Sequence, residues 1–116
     1  MYRLVILLFL SLMPATVFAH AMLDRAEPRV GAAVSPAPRQ LKLWFTEKLE
    51  PSFSRVEVVD SAGKSVGAKS SVDNAERNLL RVSLPALGSG TYKVNWRVLS
   101  VDTHRTEGSY TFKVGN

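Results

Sequence analysis

Gly90-Thr91-Tyr92-Lys93-Val94-Asn95-Trp96-Arg97-Val98-Leu99-Ser100-Val101-Asp102-Thr103-His104-Arg105-Thr106-Glu107-Gly108-Ser109-Tyr110-Thr111-Phe112-Lys113-Val114 is the stretch whose pattern decides the fold class. Tyr92, Val94, Trp96 and Val98 alternate with Lys93, Asn95 and Arg97, the period-2 signature of a strand with one buried face. Tyr110, Phe112 and Val114 alternate with Thr111 and Lys113 in the same way. Ser100 to Gly108 forms a polar connection between them and carries His104, one of only 2 histidines in the chain. If that connection is extended, Asp102 and His104, at i and i+2, point to the same side. A carboxylate beside an imidazole, on a loop braced by two rigid strands, is a starting point for a metal site. The spacing alone says little, because most such triplets in loops are simply solvated.

The other histidine, His20, gains its meaning from what precedes it. Met1 to Ala19 opens with a single basic residue, Arg3, and runs through the apolar segment Leu4 to Met13. Pro14 breaks the run, and Val17-Phe18-Ala19 ends it in the manner of a secretory signal peptide. The apolar segment falls short of the about 20 residues a stable membrane anchor needs. Cleavage after Ala19 makes His20 the first residue of a domain spanning 20–116. Ala19-His20-Ala21 also fits the small-x-small cleavage pattern, and a cut there discards the histidine. Sequence rules leave both cuts open.

Removing 19 of the 116 residues leaves 97, enough for one domain with one modest core. The formal charge falls from +5 to +4 with the loss of Arg3. The remaining basic residues are scattered singly, with no cluster interleaved with exposed aromatics, which argues against nucleic acid as a partner. The chain has no cysteine, which excludes disulfide staples, thiolate zinc sites and Cys-centred blue-copper sites. No Ser-His-Asp set and no phosphate-binding glycine pattern is marked by a motif.

Working back from the central stretch, the expected strands are short and regularly spaced. His20 to Glu27 reads as a first strand, followed by a loop stiffened by Pro28, Pro36 and Pro38. Leu41, Leu43 and Phe45 alternate with Lys42 and Trp44 in a second strand, which runs into Thr46-Glu47-Lys48. Val56 and Val58 mark a third, closed by the Asp60-Ser61-Ala62-Gly63 turn. Residues 61–78 read as a short edge strand around Val66 plus a long loop, and Leu80, Val82 and Leu84 as a further strand. About seven strands with Gly/Pro punctuation and no 3.6-residue periodicity predict an all-β fold, an antiparallel Greek-key β-sandwich or barrel of Ig-like type. Trp44, Trp96, Tyr92, Tyr110 and Phe112 are assigned to core or half-core positions. Asp24, Glu27, Asp73 and Glu76 are expected to be solvated.

A mature N-terminal His20 offers its α-amine and its ring Nδ1, which together close a chelate ring on one metal ion. With the His104 imidazole and the Asp102 carboxylate, the set becomes three nitrogens and one oxygen. That set suits a tetragonal Cu(II) ion, although zinc could use the same ligands tetrahedrally.

These features together resemble the CopC type of periplasmic copper-binding proteins from bacterial copper-resistance systems, over the whole mature chain. The resemblance rests on the histidine after the leader, Phe45-Thr46-Glu47, Gly90 to Arg97, and Ser100-Val101-Asp102-Thr103-His104 followed by Gly108, Phe112 and Val114. It implies a β-sandwich of cupredoxin-like topology holding one Cu(II) through residues matching His20, Asp102 and His104. It implies that Glu47 lies near the metal as a weak ligand or hydrogen-bond partner, and that cleavage follows Ala19. Some members of that family carry a second, Cu(I) site built from methionines and a histidine in mid-chain. Here residues 55–90 contain neither, and Met22 is the only methionine past the leader, so a dedicated Cu(I) site is not expected.

The favoured expectation is a monomeric, non-enzymatic periplasmic carrier or buffer for Cu(II), with an inner-membrane copper transporter of the CopD type as candidate partner. A copper oxidoreductase built on the N-terminal histidine, and a metal-free Ig-like interaction module, are the alternatives. Against the oxidoreductase, Asp102 would fill a position that oxygen activation needs open.

Overall fold

A computed structural model describes residues 21–115; His20 and the expected leader segment lie outside the described residues. Eight strands follow in order: β1 Leu23–Glu27, β2 Ala33–Val34, β3 Gln40–Phe45, β4 Arg55–Val59, β5 Lys69–Val72, β6 Leu79–Ser83, β7 Gly90–Leu99 and β8 Arg105–Val114. They form two four-stranded sheets, ordered β1-β3-β6-β5 and β2-β8-β7-β4. A single 3-10 turn, Pro51–Phe53, precedes β4. The all-β sandwich is as the alternation predicts, with one departure: β2 pairs with β8 in parallel.

Alternation works as expected on the inner faces. Leu41, Leu43 and Phe45 of β3, Val56 and Val58 of β4, and Leu80 and Val82 of β6 are buried. They meet Tyr92, Val94, Trp96 and Val98 of β7 and Tyr110, Phe112 and Val114 of β8 in one core cluster. Phe45 and Trp96 pack edge to face with ring centroids 5.2 Å apart, and Tyr92 stacks on Phe112 at 5.5 Å. Trp44 is also buried, but on the outer face, outside that cluster. It pairs across the sheet with Leu79, and the Arg25 guanidinium lies 3.8 Å from its ring centroid. An arginine over an indole both shields the ring and gains from its quadrupole.

Two expectations need correction. The edge strand in the polar segment is Lys69–Val72, not a strand around Val66; Ser65 makes only an isolated bridge to Val59. Side-chain pattern is silent there, since Val72 is the one buried residue of β5, and backbone pairing with β6 sets the position. The Val56 N–H donates to Ser70 Oγ at 3.0 Å, joining β5 to the edge of the other sheet. The connection within the central stretch is also shorter than its polarity suggests. The ladder continues through Trp96↔Gly108, Val98↔Thr106 and Leu99↔Arg105, so only Ser100 to His104 lie outside the strands.

Gly108 explains why alternation fails at the start of β8. A Cβ at this position would stand 2.4 Å from Cζ2 and 2.7 Å from Cε2 of Trp96. The inward position of β8 is left empty so that the indole can lie over the backbone of its partner strand. Gly108→Ala is therefore expected to destabilise the fold by roughly 1–3 kcal/mol through overpacking. Chemical denaturation followed by tryptophan fluorescence checks this, and an unchanged midpoint would mean that the indole has room to move.

Candidate metal centre

The loop between β7 and β8 is not extended. The Thr103 N–H donates to the Ser100 carbonyl at 2.9 Å and the Ser100 N–H to the His104 carbonyl at 3.0 Å, closing a tight turn. Thr103 takes φ 72°, a left-handed conformation uncommon for a β-branched residue. The turn does by another route what i, i+2 alternation was expected to do. It brings His104 Nδ1 to 3.4 Å from Asp102 Oδ1, with both side chains partly open to solvent. Two oxygen or nitrogen donors held at ~2.0–2.2 Å from one divalent ion stand roughly 3 Å apart, so the spacing of this pair suits a shared metal.

Ser100 underlies the pair. It is fully buried, and its hydroxyl donates to Asp102 Oδ1. The hydroxyl oxygen in turn accepts from the His104 N–H at 3.4 Å. The Ser100 hydroxyl chiefly, then His104, hold the Asp102 carboxyl below its ordinary value of 3.8, against an opposing effect of desolvation. The site therefore presents a carboxylate that stays ionised as the pH falls into the acid range.

The N-terminal segment is tied to the same end of the sandwich. Thr106 Oγ1, two residues past His104, donates to the Ala21 carbonyl at 2.6 Å. Ala21 is fully buried, and the Met22 N–H donates to Thr46 Oγ1 at 3.0 Å while the Thr46 N–H returns a bond to the Met22 carbonyl at 2.9 Å. The Val101 N–H donates to the Lys48 carbonyl at 3.0 Å. Glu47 thus sits, half-buried, between a residue bonded to the N-terminal segment and one bonded to the loop. Among the described residues, no group of three or more His, Cys, Asp or Glu able to hold a metal occurs. The structure brings Asp102 and His104 together; His20 lies outside the described residues.

Ser100 and Thr106 were not singled out by the sequence pattern, although a signal was present. Both continue the inward-facing series of their strands, Ser100 after Val98 and Thr106 before Gly108. A polar residue at an inward position needs a partner, and these two find theirs in the loop and at Ala21.

A two-sheet β-sandwich with a carboxylate–imidazole pair at the β7–β8 end is the class of protein that the fold and site define. The CopC domain family matches residues 23–115, and the chain belongs to that family. It is 37% identical over 117 residues to copper resistance protein C of Xanthomonas campestris pv. juglandis, covering 95% of this chain and 91% of the relative. The crystal structure of CopC from Methylosinus trichosporium OB3b superimposes with a TM-score of 0.79 at 36% identity, over 82% of this chain and 93% of that one. PcoC, a methionine-rich copper resistance protein from Escherichia coli, gives a TM-score of 0.75 at 33% identity, over 84% of this chain and 100% of that one.

The Asp102 carboxyl is expected to titrate below 3.8 in the metal-free protein. Because its folded value is depressed, its contribution to stability is present above the ordinary value and is lost as the pH falls through the folded one. The pH dependence of its side-chain carbonyl carbon shift reads this directly, and a midpoint at or above 3.8 would contradict the Ser100 contact.

Proposed function

We propose that this protein is a periplasmic carrier or buffer for Cu(II), binding one ion per chain and catalysing no reaction. The observation that carries the reading is the Asp102–His104 pair on the β7–β8 loop, with Ala21 bonded to Thr106 at the start of β8 beside it. Relatives at 37% and 33% identity are named as copper resistance proteins. In this reading Met1 to Ala19 is a cleaved signal peptide and His20 begins the mature domain. Its α-amine and ring Nδ1 chelate the ion, and His104 and Asp102 complete three nitrogens and one oxygen. Glu47 assists as a weak ligand or hydrogen-bond partner.

The donor set favours Cu(II) over other divalent first-row ions and over Cu(I), which thioethers select. The chain holds 3 methionines, of which Met1 and Met13 fall in the leader, leaving Met22. Asp102 beside His104 fills a coordination position that oxygen activation needs open, which supports binding rather than catalysis. The protein acts as a monomer and passes copper to an inner-membrane transporter of the CopD type.

His104→Ala removes a nitrogen ligand and Asp102→Ala the neutralising oxygen. Each is expected to weaken Cu(II) binding strongly while leaving the metal-free sandwich folded, as competition titration and circular dichroism would read. Variants that bind copper like the parent would overturn the ligand assignment.

The decisive experiment tests whether processing creates the site. One residue placed before His20, such as a retained Met, turns the α-amine into an amide, a poor donor unless it loses its proton. Cu(II) affinity is expected to fall by orders of magnitude with both histidines and Asp102 intact, and trimming the extra residue is expected to restore it. Equal affinity and equal EPR parameters for the extended and trimmed proteins would show that the N-terminal chelate is not used.

A further inference from the structure

We propose that Ser100 is the positioning residue of the metal centre, holding the Asp102 carboxylate in the one orientation that lets it share an ion with His104. The inference rests on the reading of Asp102 and His104 as ligands and adds a residue that touches no metal.

Ser54 and Ser100 are the polar residues buried among the described ones, at 6% and 0% exposure. Ser54 is fully accounted for by the strand end, since its Oγ accepts from the Leu99 N–H at 3.2 Å and lies 3.4 Å from the Leu99 carbonyl. Ser100 differs because its hydroxyl reaches a carboxylate. It has a backbone acceptor within range, the His104 carbonyl at 3.2 Å, yet it also bonds Asp102 Oδ1. A serine serving only the turn would need no contact with the Asp102 side chain, because the turn is already closed by two backbone hydrogen bonds.

The contact constrains the carboxylate. The Asp102 side chain is 44% exposed, so solvent offers it many competing orientations. A buried donor fixed at the end of β7 selects one of them, the one facing His104. The hydroxyl also touches His104 through its N–H, so one rigid group references both ligands to the end of β7. Partners of metal ligands that act this way are worth roughly 10–100-fold in metal affinity.

Ser100→Ala should lower Cu(II) affinity by roughly 10–100-fold and move the EPR hyperfine splitting towards that of Asp102→Ala. In the metal-free protein, the Asp102 Hα–Hβ couplings should change from those of a single rotamer to averaged values, a readout that needs no copper. In an Asp102→Ala background, Ser100→Ala should cost little more, since its effect runs through that carboxylate. Ser100→Cys keeps a side chain of similar shape with only a weak donor; it should show the same losses and carries the test if the alanine variant does not fold.

Parent-like affinity, EPR parameters and couplings in the folded Ser100 variant would overturn the proposal. So would an equal loss in both backgrounds, which would mark Ser100 as a support of the fold alone. If Asp102→Ala itself bound Cu(II) like the parent, the ligand reading would fall and the proposal with it, an outcome distinct from failure at Ser100 only.

Discussion

The antiparallel ladder between β7 and β8 carries the rest of the molecule. It runs unbroken from Gly90↔Val114 to Leu99↔Arg105, and its inner face supplies seven of the buried core residues, from Tyr92 to Val114. Within it is one close contact, the Trp96 indole lying over Gly108. With a Cβ at that point, the ring or the strand would have to shift. The ladder then delivers Leu99 and Arg105 side by side, leaving a loop short enough to be closed by backbone hydrogen bonds alone.

The chemistry at that end follows from an asymmetry in burial. Asp102 and His104 are partly open to solvent, whereas Ser100, which touches both, is sealed in. Set on a buried donor, the Asp102 carboxyl is held below its ordinary range. The Thr106–Ala21 and Thr46–Met22 hydrogen bonds bring a third segment to the same place from the far end of the sequence. Thr106 is well suited to its tie, because its hydroxyl reaches a neighbouring backbone while its methyl tolerates a half-buried strand position.

Sheet β1-β3-β6-β5 contributes less to the site and more to the frame. Its outer face carries Trp44 and Leu79 side by side, with Arg25 over the indole, so that even the face away from the core is partly dry. Trp44 of that cluster lies two residues before Thr46, whose side chain accepts from the Met22 N–H.

Much of this was legible in the residues. Period-2 alternation marks the inner faces of β3, β4, β6, β7 and β8, because the hydrophobic effect sorts side chains by face whatever the strand order. The lack of cysteine excludes thiolate metal sites for an equally local reason. Tertiary structure decided what depends on contact rather than on pattern. β5 has no apolar alternation to betray it, β2 is two residues long, and both exist because a neighbouring backbone offers hydrogen bonds. The polar start of β8 read as loop because Gly108 and Thr106 occupy inward positions, and only the indole of Trp96 and the carbonyl of Ala21 show why. Asp102 meets His104 through a turn at Thr103, not through an extended strand. Sequence determined which groups the chain offers; packing across 85 residues of chain, from Ala21 to Thr106, decided that the segment at Ala21 would lie beside the start of β8, next to the loop.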